Sequence, residues 1–132
     1  MTITTEDFGG YILNRPSAHE TLAGISDYLE AHVSEWERQE VIWDISGLKI
    51  PILTTADVWT LVARLQRIRH YRKGRSTALV CSGDLGYGML RRLHMLLEDK
   101  VNDHLMVTRT IGEAIEQLSA YHNTQSDASG AG

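Results

Sequence analysis

Three short apolar runs, VIWDI at 41–45, STALVCS at 76–82 and HLMVTR at 104–109, constrain this chain more than any other feature. Runs of this length, rich in β-branched and aliphatic side chains, suit strands covered on both faces. Between them the apolar residues change to helical spacing. Val58, Leu61, Val62, Leu65 and Ile68 trace one stripe, and Leu85, Met89, Leu93, Leu96 and Leu97 trace another. Strands separated by helices need crossover connections, which make neighbouring strands parallel. The predicted class is α/β: one domain over residues 1–122, with a four- to five-stranded, mostly parallel sheet and about four helices.

The ends of the chain fit this scheme. GYILN, near residues 10–14, reads as a first strand, and TIT at 2–4 as a partner for it in a hairpin. Three stretches have the spacing of a capping box: Ser17 with Glu20, Thr54 with Asp57, and Thr110 with Glu113. The first predicts a helix through Leu22, Ile25, Leu29 and Val33 to about Trp36. The second, after a loop in which Pro51 bars an early start, predicts a helix ending near Gly74. The third opens a closing helix on Ala114, Ile115 and Leu118. Residues 123–132, NTQSDASGAG, carry no large apolar side chain and are expected to form a disordered tail.

At 132 residues the chain can bury a core without staples, and its formal net charge of -4 opposes general attraction to nucleic acid or anionic membranes. Cys81 is the single cysteine, which excludes an internal disulfide and suits a reducing compartment. With no apolar run of membrane-spanning length and no leader-like N-terminus, a cytoplasmic protein is expected. Six histidines show no metal-binding spacing, so no metal or other cofactor is expected.

Ser82, Gly83, Asp84, Gly86, Tyr87 and Gly88 join the second long strand to the third helix. Their G-x-x-G-x-G spacing reverses the dinucleotide fingerprint, and no Walker lysine follows. One reading has Ser82 or Asp84 capping the helix while the glycines allow close approach to the sheet. The other has the free amides of the helix start holding an anion or polar ligand, with Tyr87 stacked beside it. Asp44 ends its strand where α/β proteins place site residues, and it is equally suited to bonding the next loop. Arg64, Arg67, Arg69, Arg72, Lys73 and Arg75 form the strongest local concentration of charge. They complement a helix C-terminus, or with Tyr71 they present a docking patch for an acidic partner, a lipid headgroup or nucleic acid, the last opposed by the overall acidity. Cys81 falls on a buried strand as an inert thiol. Trp43 belongs to the core, while Trp36 and Trp59 stand at the edges of helical stripes, where they fit a pocket, a dimer interface or packing under loops.

VIWDISGLKIPILTTADVWTLVARLQRIRHYRKGRSTALV, continued by ALVCSGDLGYGMLRRLHMLLE and closed by VTRTIGEAIEQL, resembles the STAS/SpoIIAA-like superfamily over residues 41–118. In phosphorylatable members the helix after the first of these strands opens with an acid, a Ser or Thr and a glycine. The matching positions are Leu53, Thr54, Thr55 and Ala56, which keep the hydroxyls and lack the acid and the glycine. The resemblance implies a non-catalytic regulatory module that binds a protein partner, with Thr54 or Thr55 as candidate phosphoacceptor. Its SEC14-type branch implies the alternative, a carrier or sensor of a small apolar or anionic ligand in a cavity lined by Trp59, Tyr87 and Met89. An enzyme would need Asp44, Asp84 or Cys81 grouped with His94 or Arg91 in one cleft.

Overall fold

A computed structural model describes residues 3–49 and 54–131 of the chain. Strands β1 (Ile3–Phe8), β2 (Tyr11–Pro16), β3 (Val41–Asp44), β4 (Ser76–Val80) and β5 (His104–Thr108) form one sheet in the order β1-β2-β3-β4-β5. β1 and β2 are antiparallel, with Ile3 opposite Pro16 and Phe8 opposite Tyr11. Gly9 and Gly10 turn this hairpin at φ 62° and 92°, a conformation that costs glycine little. The remaining neighbours are parallel, with Trp43 beside Leu79 and Leu79 beside Val107. Helices α1 (Leu22–His32), α2 (Thr55–Ile68), α3 (Asp84–Leu97) and α4 (Ile111–Ala131) complete the fold. The α/β class and the mostly parallel sheet agree with the sequence reading.

Strand order fixes the layers. Each crossover steps to the adjacent strand in the same direction, and the common right-handed sense puts α1, α2 and α3 on one face. α4 covers the other. Alternation along the strands supplies both faces with apolar side chains: Leu13, Ile42, Ala78, Val80 and Met106 meet Ala114 and Leu118 of α4. Val41 and Trp43 meet α1, while Ile45 and Cys81 meet Leu90 of α3. Cys81 is buried in this packing, as expected from the sequence.

Several local expectations differ. Ser17 and Glu20 form a turn rather than a helix start, with the Glu20 amide donating to the Ser17 carbonyl at 3.2 Å. α1 opens at Thr21, whose hydroxyl accepts the Gly24 amide at 3.0 Å, because Pro16 is still part of β2. A 3-10 turn, Val33–Trp36, carries α1 to its expected end. Thr54 caps α2 in the full reciprocal box with Asp57. A second 3-10 turn, Arg69–Arg72, precedes Gly74 at φ 78°. α4 runs on to Ala131, through the stretch expected as a tail: once α4 is started on packed residues, each further residue adds a backbone bond at little cost. Thr2, Pro51 and Leu53 lie outside the described residues. Among those described, no helix is long and apolar enough to cross a membrane.

Candidate functional site

The face covered by three helices is hollow. A cavity of about 180 Å³ lies between it and the sheet. Its floor is Val41, Trp43 and Ile45 of the β3 segment, with Leu79 and Leu105 from the neighbouring strands. Ile25 and Leu29 of α1, Leu61 and Leu65 of α2, and Met89 and Leu93 of α3 form its walls and roof. Trp36 closes one side, packed edge-on to Trp43 with ring centroids 6.3 Å apart.

The gap follows from how α2 is held. Only Leu61 and Val62 of α2 are buried. Its polar flank is tied to α1: Arg64 donates to Asp27 at 2.6 Å and to both oxygens of Glu30 at 3.0 Å, and Arg67 reaches Glu30 at 3.1 Å. The Arg64 hydrogen bond is the main reason that the Glu30 carboxyl lies below its ordinary pKa. Glu30 and Asp27 in turn raise the guanidinium of Arg64. α2 is thereby drawn toward α1, and its short aliphatic side chains do not fill the space between the sheet and α3.

One end of the cavity is polar. Arg72 is buried there, its Nη1 donating to the carbonyls of Trp36 at 2.6 Å and Gln39 at 2.7 Å. Nη2 donates to the Ser76 carbonyl at 2.9 Å and to Thr77 Oγ1 at 3.3 Å. Nε lies 3.6 Å from Asp103 Oδ2, which also accepts the Thr77 hydroxyl at 2.5 Å. Burial lowers the pKa of Arg72, and Asp103 and Glu40 oppose that shift. All five N–H groups are thus directed at partners, as a buried guanidinium requires.

This accounts for much of the basic cluster. Arg64, Arg67, Arg72 and Arg75 are engaged by the chain's own carboxylates, Arg75 pairing with Glu40 at 3.3 Å. Arg69 and Lys73 are exposed and make no ion pair among the described residues. Within the docking patch read from sequence these two are the cations without an ion pair among the described residues, because spacing along a chain does not reveal which acids arrive from elsewhere in the fold.

The glycine segment departs from the capping reading. Gly83, not Ser82 or Asp84, occupies the cap position of α3, and no side chain caps it. Gly86 is on the buried face, whereas Gly83 and Gly88 are exposed, so close packing explains only one glycine of the three. Tyr87 lies under the Arg109 guanidinium, 4.2 Å from ring centroid to Cζ, and Arg109 bonds Asp84 at 2.7 Å. Asp44 accepts the Ser46 amide at 3.0 Å and faces Arg15 Nε at 3.5 Å, which is the loop-holding role.

Of the residues expected around a ligand, Met89 lines the cavity; Trp59 and Tyr87 do not. Trp59 is 54% exposed. It follows Val58 and precedes Val62 by three, and both of these pack with Leu93 and Leu97, so Trp59 stands on the flank of α2 turned toward α3. Leu85 and Leu96, placed in the α3 stripe by spacing, are exposed as well. Trp36 and Trp43 are the tryptophans at the cavity. A pocket was among the readings for Trp36, while Trp43 was read as core alone, because a buried aromatic and a cavity-lining one have the same pattern in sequence. Among the described residues no cluster of three or more His, Cys, Asp or Glu is arranged to hold a metal ion. Compared with known proteins, the chain matches no family model and no curated protein.

Proposed function

We propose that the protein is a binding module of the STAS/SpoIIAA-like type that carries or senses a small apolar ligand between its sheet and the layer of α1, α2 and α3. The cavity of about 180 Å³ carries this reading. It exceeds the roughly 150 Å³ apolar cavity that takes up benzene. At roughly 24 cal/mol per Å³, an empty space of that size forfeits about 4 kcal/mol. That is a large share of the roughly 5–15 kcal/mol that keeps a domain folded. A ligand in the cavity restores those contacts, and the saturated bonds of Arg72 leave its polar end needing none.

Native mass spectrometry of the freshly purified protein beside Leu65→Trp tests the reading. A small molecule on the wild type and its loss from the variant are expected. A bare wild type whose thermal unfolding does not respond to n-decanol overturns it.

A second reading, a protein-binding module regulated by phosphorylation, is favoured by the exposure of Thr54 and Thr55. Thr55 stands one helical turn before the exposed indole of Trp59, so a hydroxyl and an apolar surface adjoin. Thr54 already accepts the Asp57 amide, whereas Thr55 is modified without loss of that cap. Intact mass of the protein isolated from its own cells, with and without phosphatase, separates the two: a phosphate on Thr55 supports regulation, and an unmodified chain contradicts it.

A further inference from the structure

The cavity extends along the sheet as well as across it, from Trp43 of β3 through Leu79 of β4 to Leu105 of β5. Its floor follows β3 from Val41 through Trp43 to Ile45, a rise of about 13 Å. Its α3 wall follows Met89 through Leu93 to Leu97, about 12 Å. The floor along β3 gives this slot the length to take an extended apolar chain.

Charge is unevenly placed at the end of this slot. Arg72 and Asp103 border it, but they neutralise each other, and every donor of Arg72 is committed. An anion pushed to that depth meets the Asp103 carboxylate and finds no donor. Arg69 also borders the slot, one helical turn before Arg72, and is exposed with no ion pair among the described residues. Its main chain is fixed, since the Arg69 carbonyl accepts from Asn102 Nδ2 at 3.2 Å, while its guanidinium is left for another group.

We infer that the ligand is a single-chain amphiphile: an unbranched alkyl chain lies in the slot along β3, and an anionic head, carboxylate or phosphate monoester, stays at the surface on Arg69. This rests on the cavity-binding reading above and adds to it the shape of the tail and the charge and position of the head.

Titration calorimetry on the full chain with n-decanoate, n-decyl phosphate, n-decanol and 1-adamantanol, each with ten carbons, tests both parts. The wild type is expected to bind the anions about fivefold more tightly than decanol at low salt, the range of an exposed ion pair. The cage alcohol is expected about tenfold weaker than the chain alcohol, because a compact cage covers less of the apolar floor along β3 than an extended chain does. Arg69→Glu removes the advantage of the anions and leaves decanol binding unchanged. The larger gain of decanoate or of decyl phosphate identifies which head is taken. Equal affinities for decanol and both anions, or an equal loss of decanol and decanoate in Arg69→Glu, overturns the assignment of the head. Adamantanol binding as well as decanol overturns the linear tail. In both of these cases the apolar site itself survives, whereas failure of all four ligands overturns the site and the inference together.

Discussion

The two faces of the sheet start from the same alternating aliphatic strands and are covered in opposite ways. Under α4, the side chains of Leu13, Ile42, Ala78, Val80, Met106, Ala114 and Leu118 form one cluster, none more than 6% exposed. Ala114 presents so little bulk that α4 settles close to β4 and β5. Under α1, α2 and α3 the buried residues separate into three clusters around a slot. The strands supply comparable apolar surface to both, so the difference lies in the helices. One is seated by its apolar stripe; α2 is positioned partly by ion pairs to α1. A dense face gives stability, and a face held at its edges leaves room for a guest.

The largest effect is expected at the single demanding point of the hollow face. Arg72→Ala removes the guanidinium's bonds to three backbone carbonyls and leaves the Asp103 carboxylate without its cation, and urea denaturation should show a loss of about 4 kcal/mol. A loss below about 1 kcal/mol would mean that this cluster is solvated. Next comes the same truncation on each face. Leu118→Ala should cost about 3–4 kcal/mol, since the void it leaves is walled by a rigid cluster. Leu65→Ala, half-buried and already bordering open space, should cost about 1 kcal/mol. Equal losses would break the contrast between the faces. Thr54→Ala should cost about 1 kcal/mol through loss of the α2 cap, and Thr54→Ser should restore it.

How much of this was legible follows from what periodicity encodes. The alternation of VIWDI, STALVCS and HLMVTR with helical stripes fixed the class and the parallel pairing, since crossovers are a geometric necessity. The Thr54–Asp57 box and the stop at Gly74 were readable because capping uses neighbours in the chain. The start of α1 was not, since Ser17–Glu20 and Thr21–Gly24 are both local solutions and only the length of β2 decides between them. The slot left no local signature. It depends on Arg64 meeting Glu30, 34 residues away, and on Arg72 meeting the carbonyl of Trp36, 36 residues away. The same long-range pairing gives four of the six basic residues carboxylate partners and leaves Arg69 and Lys73 without one among the described residues.

The smallest expected effect is a dependence on pH. Burial and the nearby His94 lower the pKa of His104, against the opposing pull of Asp103 and Glu98. Its ring stacks on Tyr121 of α4, with centroids 4.0 Å apart. The unfolded chain therefore takes up this proton first, and stability falls as pH drops below about 6.5, levelling once the folded imidazole is also charged. His104→Gln should flatten that part of the profile of melting temperature against pH. An unchanged slope would assign it to other groups.

The hollow face is tested most directly by the tryptophans that line it. Trp36 and Trp43 are buried at the slot, and Trp59 is removed from the signal by Trp59→Phe. Titration of that variant with decanoate brominated along its chain should quench the remaining indole fluorescence to a saturable endpoint, with unbrominated decanoate reversing it. Quenching that rises linearly without saturation, or that equals the effect of free bromide, would mean that no chain enters between the sheet and the three helices.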